Sequence, residues 1–240
     1  KTLRITYQNT RRSVTTKPTS DMRHLFHNIE QLNCHILCAS ETNVNWKSPH
    51  NIYQFKETLR NLGQDITHTS FSTSNIGTDE VHQKVTYLPG GTMTVTRGHW
   101  ATRIIDQGED PKGLGRWNYT TIQGKANQKL SIVTCYRVCN TNAAYAGPTT
   151  AITQQHTILE RLQLSNNNIA SCRPNLRNLF LEDLKTFLTN LQAQGHSIVC
   201  CMDANETPNE CRNKDGTYKE ESLEGMAQHL GLQDVFQTSF

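Results

Sequence analysis

The chain has 240 residues, of which 35% are hydrophobic and 19% are charged, so it is long enough to bury a substantial core without disulfide support. No apolar run approaches the roughly 18 residues that a membrane-spanning helix requires, which argues against a membrane protein. The net charge of +3 is compatible with a phosphate-bearing partner but is too small to establish one.

Apolar residues are regularly spaced along the whole chain, which argues against disorder. An apolar residue at every second position predicts a strand, and spacings of three or four predict a helix packed through one face. In chain order, the pattern predicts a strand at 3–9, a helix at 22–32, a strand at 35–39, a helix at 52–62, strands at 66–74, 92–96, 119–122 and 130–136, helices at 150–163 and 176–191, a strand at 196–202 and a helix at 223–230.

Capping and turn residues support these assignments. Ser20 and Ser222 stand where a helix would begin, and serine is a favoured N-cap residue. Gly63 and Gly231 follow helices at the position where a left-handed glycine commonly ends one. Residues 124–128 predict the turn of a β-hairpin.

Strands connected partly by helices and partly by hairpins predict a mixed α/β fold. Two packed mixed β-sheets with helices outside satisfy this pattern best. The sequence contains no repeat, low-complexity tract or clear linker, so we expect a single domain over residues 1–240. The chain lacks an initiator Met and a signal peptide and opens in a strand-like run, which favours a fragment of a longer reading frame.

The eight cysteines have no metal-site spacing. There is no CxxC pair, and no Cys/His cluster has zinc-finger spacing. We interpret them as reduced, mostly buried thiols of an intracellular protein, nuclear or cytoplasmic, with a disulfide framework as the alternative. Six lie in or beside apolar runs and two in polar loops: Cys34, Cys38, Cys135, Cys139, Cys200 and Cys201, and then Cys172 and Cys211.

Two apolar strands end in acidic residues, Glu41 and Asp203. A carboxylate at the end of a buried strand can hold a hard divalent cation or take a proton from water. Asn205 follows Asp203 by two residues, and at extended spacing both side chains would point to the same side. The alternative is that each is an ordinary solvated strand end.

A second group of residues combines basic and aromatic side chains. It is a candidate for contact with a nucleic-acid backbone, and the alternative is an ordinary amphipathic strand and loop. Both readings extend to Lys112, Arg116 and Trp117. The group consists of Arg97, His99, Trp100 and Arg103.

An ordered set of short motifs spans most of the chain. In chain order they are Tyr7-Gln8-Asn9, the run from Ile36 to Thr42, Gly90-Gly91 before an apolar strand, the segment from Tyr136 to Cys139, Met202-Asp203-Ala204-Asn205, and Leu230-Gly231-Leu232 followed by Asp234. This set resembles the endonuclease/exonuclease/phosphatase (DNase I-like) superfamily, and is most similar to endonuclease domains of non-LTR retrotransposons.

The resemblance implies phosphodiester hydrolysis with Mg²⁺ or Mn²⁺. By the same resemblance, Glu41 binds the metal with help from Asn9, Tyr136 contacts the scissile phosphate, Asp203 orients or deprotonates the attacking water, and Asn205 steadies the phosphate. It also implies DNA as the main partner, with RNA as the alternative, and a reverse transcriptase downstream in the full protein.

The chain departs from the family pattern at several positions. The tyrosine motif has lost its proline, Cys139 occupies an asparagine position next to Asn140, and Met202 replaces a glycine. The closing Asp and Ser-Asp-His segment of the family would lie beyond Phe240, so we expect the chain alone to cleave poorly. Two alternatives stay open: a phosphatase or exonuclease on the same fold, and a non-catalytic nucleic-acid-binding remnant.

Overall fold

The computed structural model describes residues 2–11, 15–17, 19–64, 67–82, 84–140, 147, 149–165, 174–206, 213, 217, 219 and 222–235. Within these ranges the chain forms two four-stranded sheets and five α-helices. The strands are β1 (Ile5–Asn9), β2 (Ile36–Ser40), β3 (Thr67–Ser72), β4 (Thr92–Arg97), β5 (Ile104–Glu109), β6 (Trp117–Gln123), β7 (Lys129–Tyr136) and β8 (His196–Asp203). The helices are α1 (Ser20–Gln31), α2 (Pro49–Asn61), α3 (Ala151–Ser165), α4 (Leu176–Ala193) and α5 (Leu223–His229).

The two sheets share one pattern of parallel and antiparallel strand pairs. The first has the order β1-β2-β4-β3, and the second has the order β5-β6-β7-β8. In each sheet one outer pair is parallel, β1 with β2 and β7 with β8, and the other pairs are antiparallel. The sheets pack face to face, with β1 and β2 against β8. This two-sheet α/β sandwich confirms the predicted fold.

Both apolar and polar contacts fill the space between the sheets. Ile36 and Cys38 of β2 pack against Ile122 and Ile132 of the second sheet. On β4, beside Cys38 of β2, the Thr94 hydroxyl bonds to Asn118 Oδ1 (2.8 Å) and Thr134 Oγ1 (2.7 Å). These buried groups are satisfied across the interface, which is the condition under which polar groups are tolerated in a core.

Helices cover the outer faces of the sandwich. The apolar faces of α1 and α2 bury Phe26 and Phe55 against the first sheet, and α4 buries Leu184 and Leu188 against the second. Full burial of one such side chain contributes roughly 1.5–3 kcal/mol. The helices therefore leave the strand ends, rather than the sheet faces, open for a site.

Most predicted elements are confirmed, with small shifts at their ends. Strand β5 was missed, because its sequence, Ile-Ile-Asp-Gln-Gly-Glu, has only two apolar residues and pairs on one side only. The cap of α1 is Thr19, not Ser20: its side chain accepts a hydrogen bond from the Met22 amide. Ser222 caps α5 as predicted.

Six cysteines lie in the described ranges, and all six are free thiols. Cys139 is exposed, and Cys135 and Cys200 have their sulfur atoms 3.8 Å apart without a disulfide bond. Cys172 and Cys211 lie outside the described residues. Among the described helices, none combines the length and apolar character needed to cross a bilayer.

A buried ion network supports the end of β7. Arg116 is 1% exposed and bonds to Asp110 through two nitrogen atoms (2.6 and 2.9 Å) and to Asp183 (2.9 Å). The Arg116 carbonyl oxygen accepts the Tyr136 amide (2.8 Å). Because Trp117 is also 1% exposed, the reading of Arg116 and Trp117 as nucleic-acid contacts is wrong.

Candidate active site

Glu41 is the first residue after β2, at the sheet edge where β1 also ends. β1 and β2 are parallel, with Asn9 opposite Ser40, so the residues that follow them leave the sheet together. Glu41 has φ of 50°, a left-handed conformation that costs on the order of 1–3 kcal/mol outside glycine. Its carbonyl oxygen accepts hydrogen bonds from Thr10 Oγ1 (3.2 Å) and Asn43 Nδ2 (2.9 Å).

Asp203 ends β8 and lies beside Tyr136, its partner in the parallel pairing with β7. Asn9 Nδ2 donates to Asp203 Oδ2 (2.6 Å), which joins the ends of the two sheets directly. The backbone amide of Asn205 donates a hydrogen bond to the other carboxylate oxygen, Oδ1 (3.3 Å). Hydrogen bonds to both oxygens fix the orientation of this carboxylate.

The surroundings of Asp203 make it a stronger base than an ordinary aspartate. Burial raises the pKa of the Asp203 carboxyl group, and the nearby Glu41 charge raises it further. The hydrogen bonds from Asn205 and Asn9 and the charge of Arg11 oppose this rise without cancelling it. Sequence reasoning missed Arg11, which lies in the polar loop after β1 and is recognisable only from its nearness to Asp203.

Tyr136 lies at the base of the site, beside Asp203 in the strand pairing and hydrogen-bonded to the Glu41 side chain. It is 6% exposed. Burial raises the pKa of its hydroxyl, and the charge of Glu41, to which that hydroxyl donates a hydrogen bond, raises it further; Asp203 adds a smaller contribution. Tyr136 is therefore a neutral hydrogen-bond donor at physiological pH.

Asn205 lies at the site, but its side chain is already engaged. Its φ is 46°, so the alternation rule for extended strands, from which we expected it to point with Asp203, does not apply. Asn205 Nδ2 donates to the Arg137 carbonyl (2.7 Å), and Oδ1 accepts from the Cys139 thiol (3.5 Å). These bonds connect the loop after β8 to the loop after β7.

An arginine of α4 supports both loops from behind, and sequence reasoning missed it. Arg177 Nη1 donates to the carbonyl oxygens of Val138 (2.8 Å) and Asn205 (2.9 Å). Glu206 lies between Arg177 (3.7 Å) and the buried Arg137 (2.8 Å). The sequence carries no signal for this network, because its members come from three segments that only the fold brings together.

The thiol of Cys139, an exposed residue, is affected by the same charges. Partial burial raises the pKa of this thiol, the charges of Glu41 and Asp203 raise it further, and the charge of Arg177 lowers it. Glu41 and Asp203 thus act together on Tyr136 and on Cys139. The structure brings Asn9, Glu41, Tyr136, Asp203 and Asn205 to one edge of the sandwich; the individual roles of these residues stay predictions.

The basic and aromatic group lies elsewhere. Arg97 is the last residue of β4, next to the start of β2, and the other three residues, His99, Trp100 and Arg103, follow it in a short 3₁₀ helix, Gly98–Arg103. The four residue steps from the start of β2 to Ser40 correspond to about 13 Å along the strand. Trp100 contacts the His99 ring and the Arg103 guanidinium, whose carbon is 5.9 Å from the ring centre. The group is therefore not part of this site, and contact with nucleic acid stays a prediction.

The donor set fits a cation that keeps much of its water. Among the described residues, no cluster of three or more His, Cys, Asp or Glu side chains is present, which does not suit a closed zinc site. Mg²⁺ instead binds through one or two carboxylates and retains water, which suits the single carboxylate of Glu41. Asn9 is less free to bind a cation than predicted. Its Oδ1 accepts a hydrogen bond from the Arg11 backbone amide (3.1 Å), and its Nδ2 donates one to Asp203.

No protein-family model and no curated protein sequence matches this chain. Among solved structures, the endonuclease domain of TRAS1, a telomere-specific non-LTR retrotransposon, is similar, with 13% sequence identity and a TM-score of 0.51 over 98% of this chain and 73% of that one. The human Nocturnin catalytic domain is similar with 16% identity and a TM-score of 0.50, over 87% of this chain and 65% of that one, so the chain spans less than two thirds of that domain. The sheet topology and these similarities show that the chain adopts the DNase I-like fold.

Proposed function

We propose that this chain is a metal-dependent phosphodiesterase domain that cleaves DNA internally, as a retroelement-type endonuclease does. The observation that carries the proposal is the meeting of two carboxylates, Glu41 and Asp203, with the Tyr136 hydroxyl at an open sheet edge. Residues 1–240 act as one domain in this proposal, and a reverse transcriptase would follow in the full protein.

Asp203 is the proposed base for the attacking water. Its two oxygens are oriented by Asn9 and Asn205. Its pKa is raised, so it accepts a proton at neutral pH more readily than an ordinary aspartate does. General base catalysis of this kind contributes about 10²–10⁴-fold.

Glu41 is the proposed ligand for Mg²⁺ or Mn²⁺, with Asn9 in support. The cation, when bound, would offset the negative charge that develops on the phosphate oxygens. Since a single carboxylate is proposed as the charged ligand, we expect weak metal affinity without substrate.

Tyr136 and Asn205 complete the phosphate contacts. The Tyr136 hydroxyl stays protonated because of its raised pKa, so it can turn from Glu41 to donate to a phosphate oxygen. Asn205 Nδ2 retains one hydrogen beyond its bond to Arg137. Arg11 adds a positive charge beside Asp203, which favours an anionic substrate.

The test is nicking of supercoiled plasmid DNA in about 5 mM MgCl₂. The controls are the same reaction in EDTA and the double variant Glu41→Gln/Asp203→Asn. We expect slow, Mg²⁺-dependent nicking by the wild type, and no nicking in EDTA or by the double variant. Hydrolysis of p-nitrophenyl phosphate without plasmid nicking would instead establish a phosphatase. Preferential cleavage of RNA would identify RNA as the substrate, and DNA binding without any hydrolysis would establish a binding remnant.

Cys139 offers a test of the metal site that needs no activity. A cation bound by Glu41 would neutralise part of the negative charge that raises the Cys139 pKa, so Mg²⁺ should lower that pKa. A drop of one unit raises the thiolate fraction about tenfold below the pKa. Mg²⁺ should therefore accelerate the alkylation of Cys139 by iodoacetamide several-fold at about pH 7.5. Mass spectrometry of the digested protein measures the extent of alkylation.

Two controls accompany this experiment. Sodium chloride at matched ionic strength accounts for screening, and the buried Cys38 in the same digest should remain unmodified. An equal acceleration in the Glu41→Gln/Asp203→Asn variant would show that the cation binds elsewhere.

A further inference from the structure

All four polar groups of Asn43 are hydrogen-bonded within the candidate active site. Its amide donates to the Gly90 carbonyl (2.8 Å), and its carbonyl accepts the Leu88 amide (3.1 Å). Its side chain donates to the Glu41 carbonyl (2.9 Å) and accepts the Gly90 amide (2.9 Å). Asn43 thus joins the loop after β2 to the segment before β4.

The backbone explains why asparagine suits this position. Asn43 has φ of 54°, and Glu41, two residues earlier, has φ of 50°. Asparagine tolerates the left-handed region better than most residues, whereas glutamate rarely adopts it. The bond from Asn43 Nδ2 to the Glu41 carbonyl therefore offsets part of the strain at Glu41.

Gly90 extends this connection to Tyr136. Gly90 has φ of +83°, and a Cβ atom there would lie 3.3 Å from Cε1 of Tyr136 and 3.4 Å from the Cβ of Ala151. The Tyr136 ring therefore rests against the Gly90 backbone, and its hydroxyl donates to the Glu41 side chain. The contacts form a closed ring: Glu41 backbone, Asn43 side chain, Gly90 backbone, Tyr136 ring and Glu41 carboxylate.

We propose that Asn43 is a positioning residue, which fixes the Glu41 carboxylate and the Tyr136 hydroxyl relative to each other through the Glu41 carbonyl and the Gly90 amide. The proposal rests on the proposed function in assigning Glu41 to the cation and Tyr136 to the phosphate. In this proposal Asn43 acts through its bonds to the Glu41 carbonyl and the Gly90 amide rather than by contact with the cation or the substrate.

The informative variant is Asn43→Gly. Glycine keeps the left-handed backbone and the main-chain bonds, and removes only the two side-chain bonds. Each lost bond corresponds to about a 2- to 10-fold effect. We expect the Mg²⁺ concentration for half-maximal nicking to rise and kcat to fall by about tenfold, with KM for DNA unchanged. Asn43→Ala adds backbone strain and should have a lower melting temperature than Asn43→Gly.

Asn51→Ala is the matched control. Asn51 Nδ2 donates to the carbonyls of Asn45 (2.9 Å) and Val85 (3.3 Å), so this variant also loses two bonds in the same loop region without touching Glu41 or Gly90. It should lower the melting temperature and leave the Mg²⁺ dependence of nicking unchanged. A change in metal dependence as large as that of Asn43→Gly would show a general loop effect and overturn the proposal.

A second measurement separates this proposal from the proposed function. Hydrogen exchange of the Gly90 amide, followed by NMR in the metal-free protein, should accelerate in Asn43→Gly and stay slow in Asn51→Ala. Unchanged exchange at Gly90 in Asn43→Gly overturns the positioning role even if the wild type has no nuclease activity. Accelerated exchange with unaltered kcat and Mg²⁺ dependence also overturns it, because Asn43 would then be structural only.

Discussion

Replacing Asp203 with asparagine is expected to lower the rate of plasmid nicking by about 10²–10⁴-fold, because the amide cannot accept the proton of the attacking water. Asparagine has nearly the same shape, and its Oδ1 can still accept the hydrogen bond that Asn9 donates to Asp203. We therefore expect KM for DNA to change little while kcat falls, as measured by single-turnover and steady-state nicking.

The same substitution should stabilise the folded protein at neutral pH. The pKa of Asp203 is raised in the folded state, chiefly by burial, so the folded protein binds this proton more tightly than the unfolded chain does. As pH rises above the unfolded value of about 3.9, the unfolded chain loses the proton first, and the stability of the wild type falls until the folded pKa is passed. Asp203→Asn does not titrate, so its melting temperature should exceed that of the wild type at pH 7 and match it near pH 3.

The control for this prediction is Asp21→Asn, a substitution of the same chemistry in the exposed first turn of α1. It should leave nicking unchanged and bring no gain in stability. If Asp203→Asn retains nicking within a factor of about three, well below the effect of a lost general base, Asp203 is not the base, whatever its effect on melting.

The residues that could be predicted from the sequence lie where local pattern determines structure. Glu41 and Asp203 were found because each follows a short apolar strand, and such strands are recognisable one at a time. Their meeting depends on the packing of β1 and β2 against β8, which no local pattern encodes. Arg177 and Arg11 were missed for the same reason, since their roles arise only from contacts between distant segments.

Where the local pattern failed, backbone conformation was the cause. The expectation that Asn205 points with Asp203 assumed an extended chain, but Asn205 is left-handed, as are Arg11, Glu41 and Asn43. These residues follow β8, β1 and β2 at one edge of the sandwich. Strained backbone at several residues of one site is typical of functional positions, where the surrounding contacts hold the conformation in place.

Replacing Glu41 with glutamine is the second substitution with a large expected effect. Glutamine keeps the length and one oxygen but removes the charge that attracts a divalent cation. We expect the Mg²⁺ concentration for half-maximal nicking to rise by about tenfold or more, as one lost charge-assisted interaction would produce, with kcat at saturating Mg²⁺ also reduced. Titration of nicking rates with MgCl₂ at constant ionic strength measures both.

An effect on Asp203 provides an independent check. The Glu41 charge raises the pKa of Asp203, so Glu41→Gln should lower it, and NMR titration of the Asp203 carboxyl in the metal-free protein should detect the shift. Glu57→Gln, on the exposed face of α2 beside Arg60, should change neither the Mg²⁺ dependence nor this pKa. A lowered Asp203 pKa with unaltered Mg²⁺ dependence would place Glu41 beside Asp203 as an electrostatic neighbour and move the cation site to other residues. The two measurements together therefore separate the geometry of the site, which the structure describes, from the metal role proposed for Glu41.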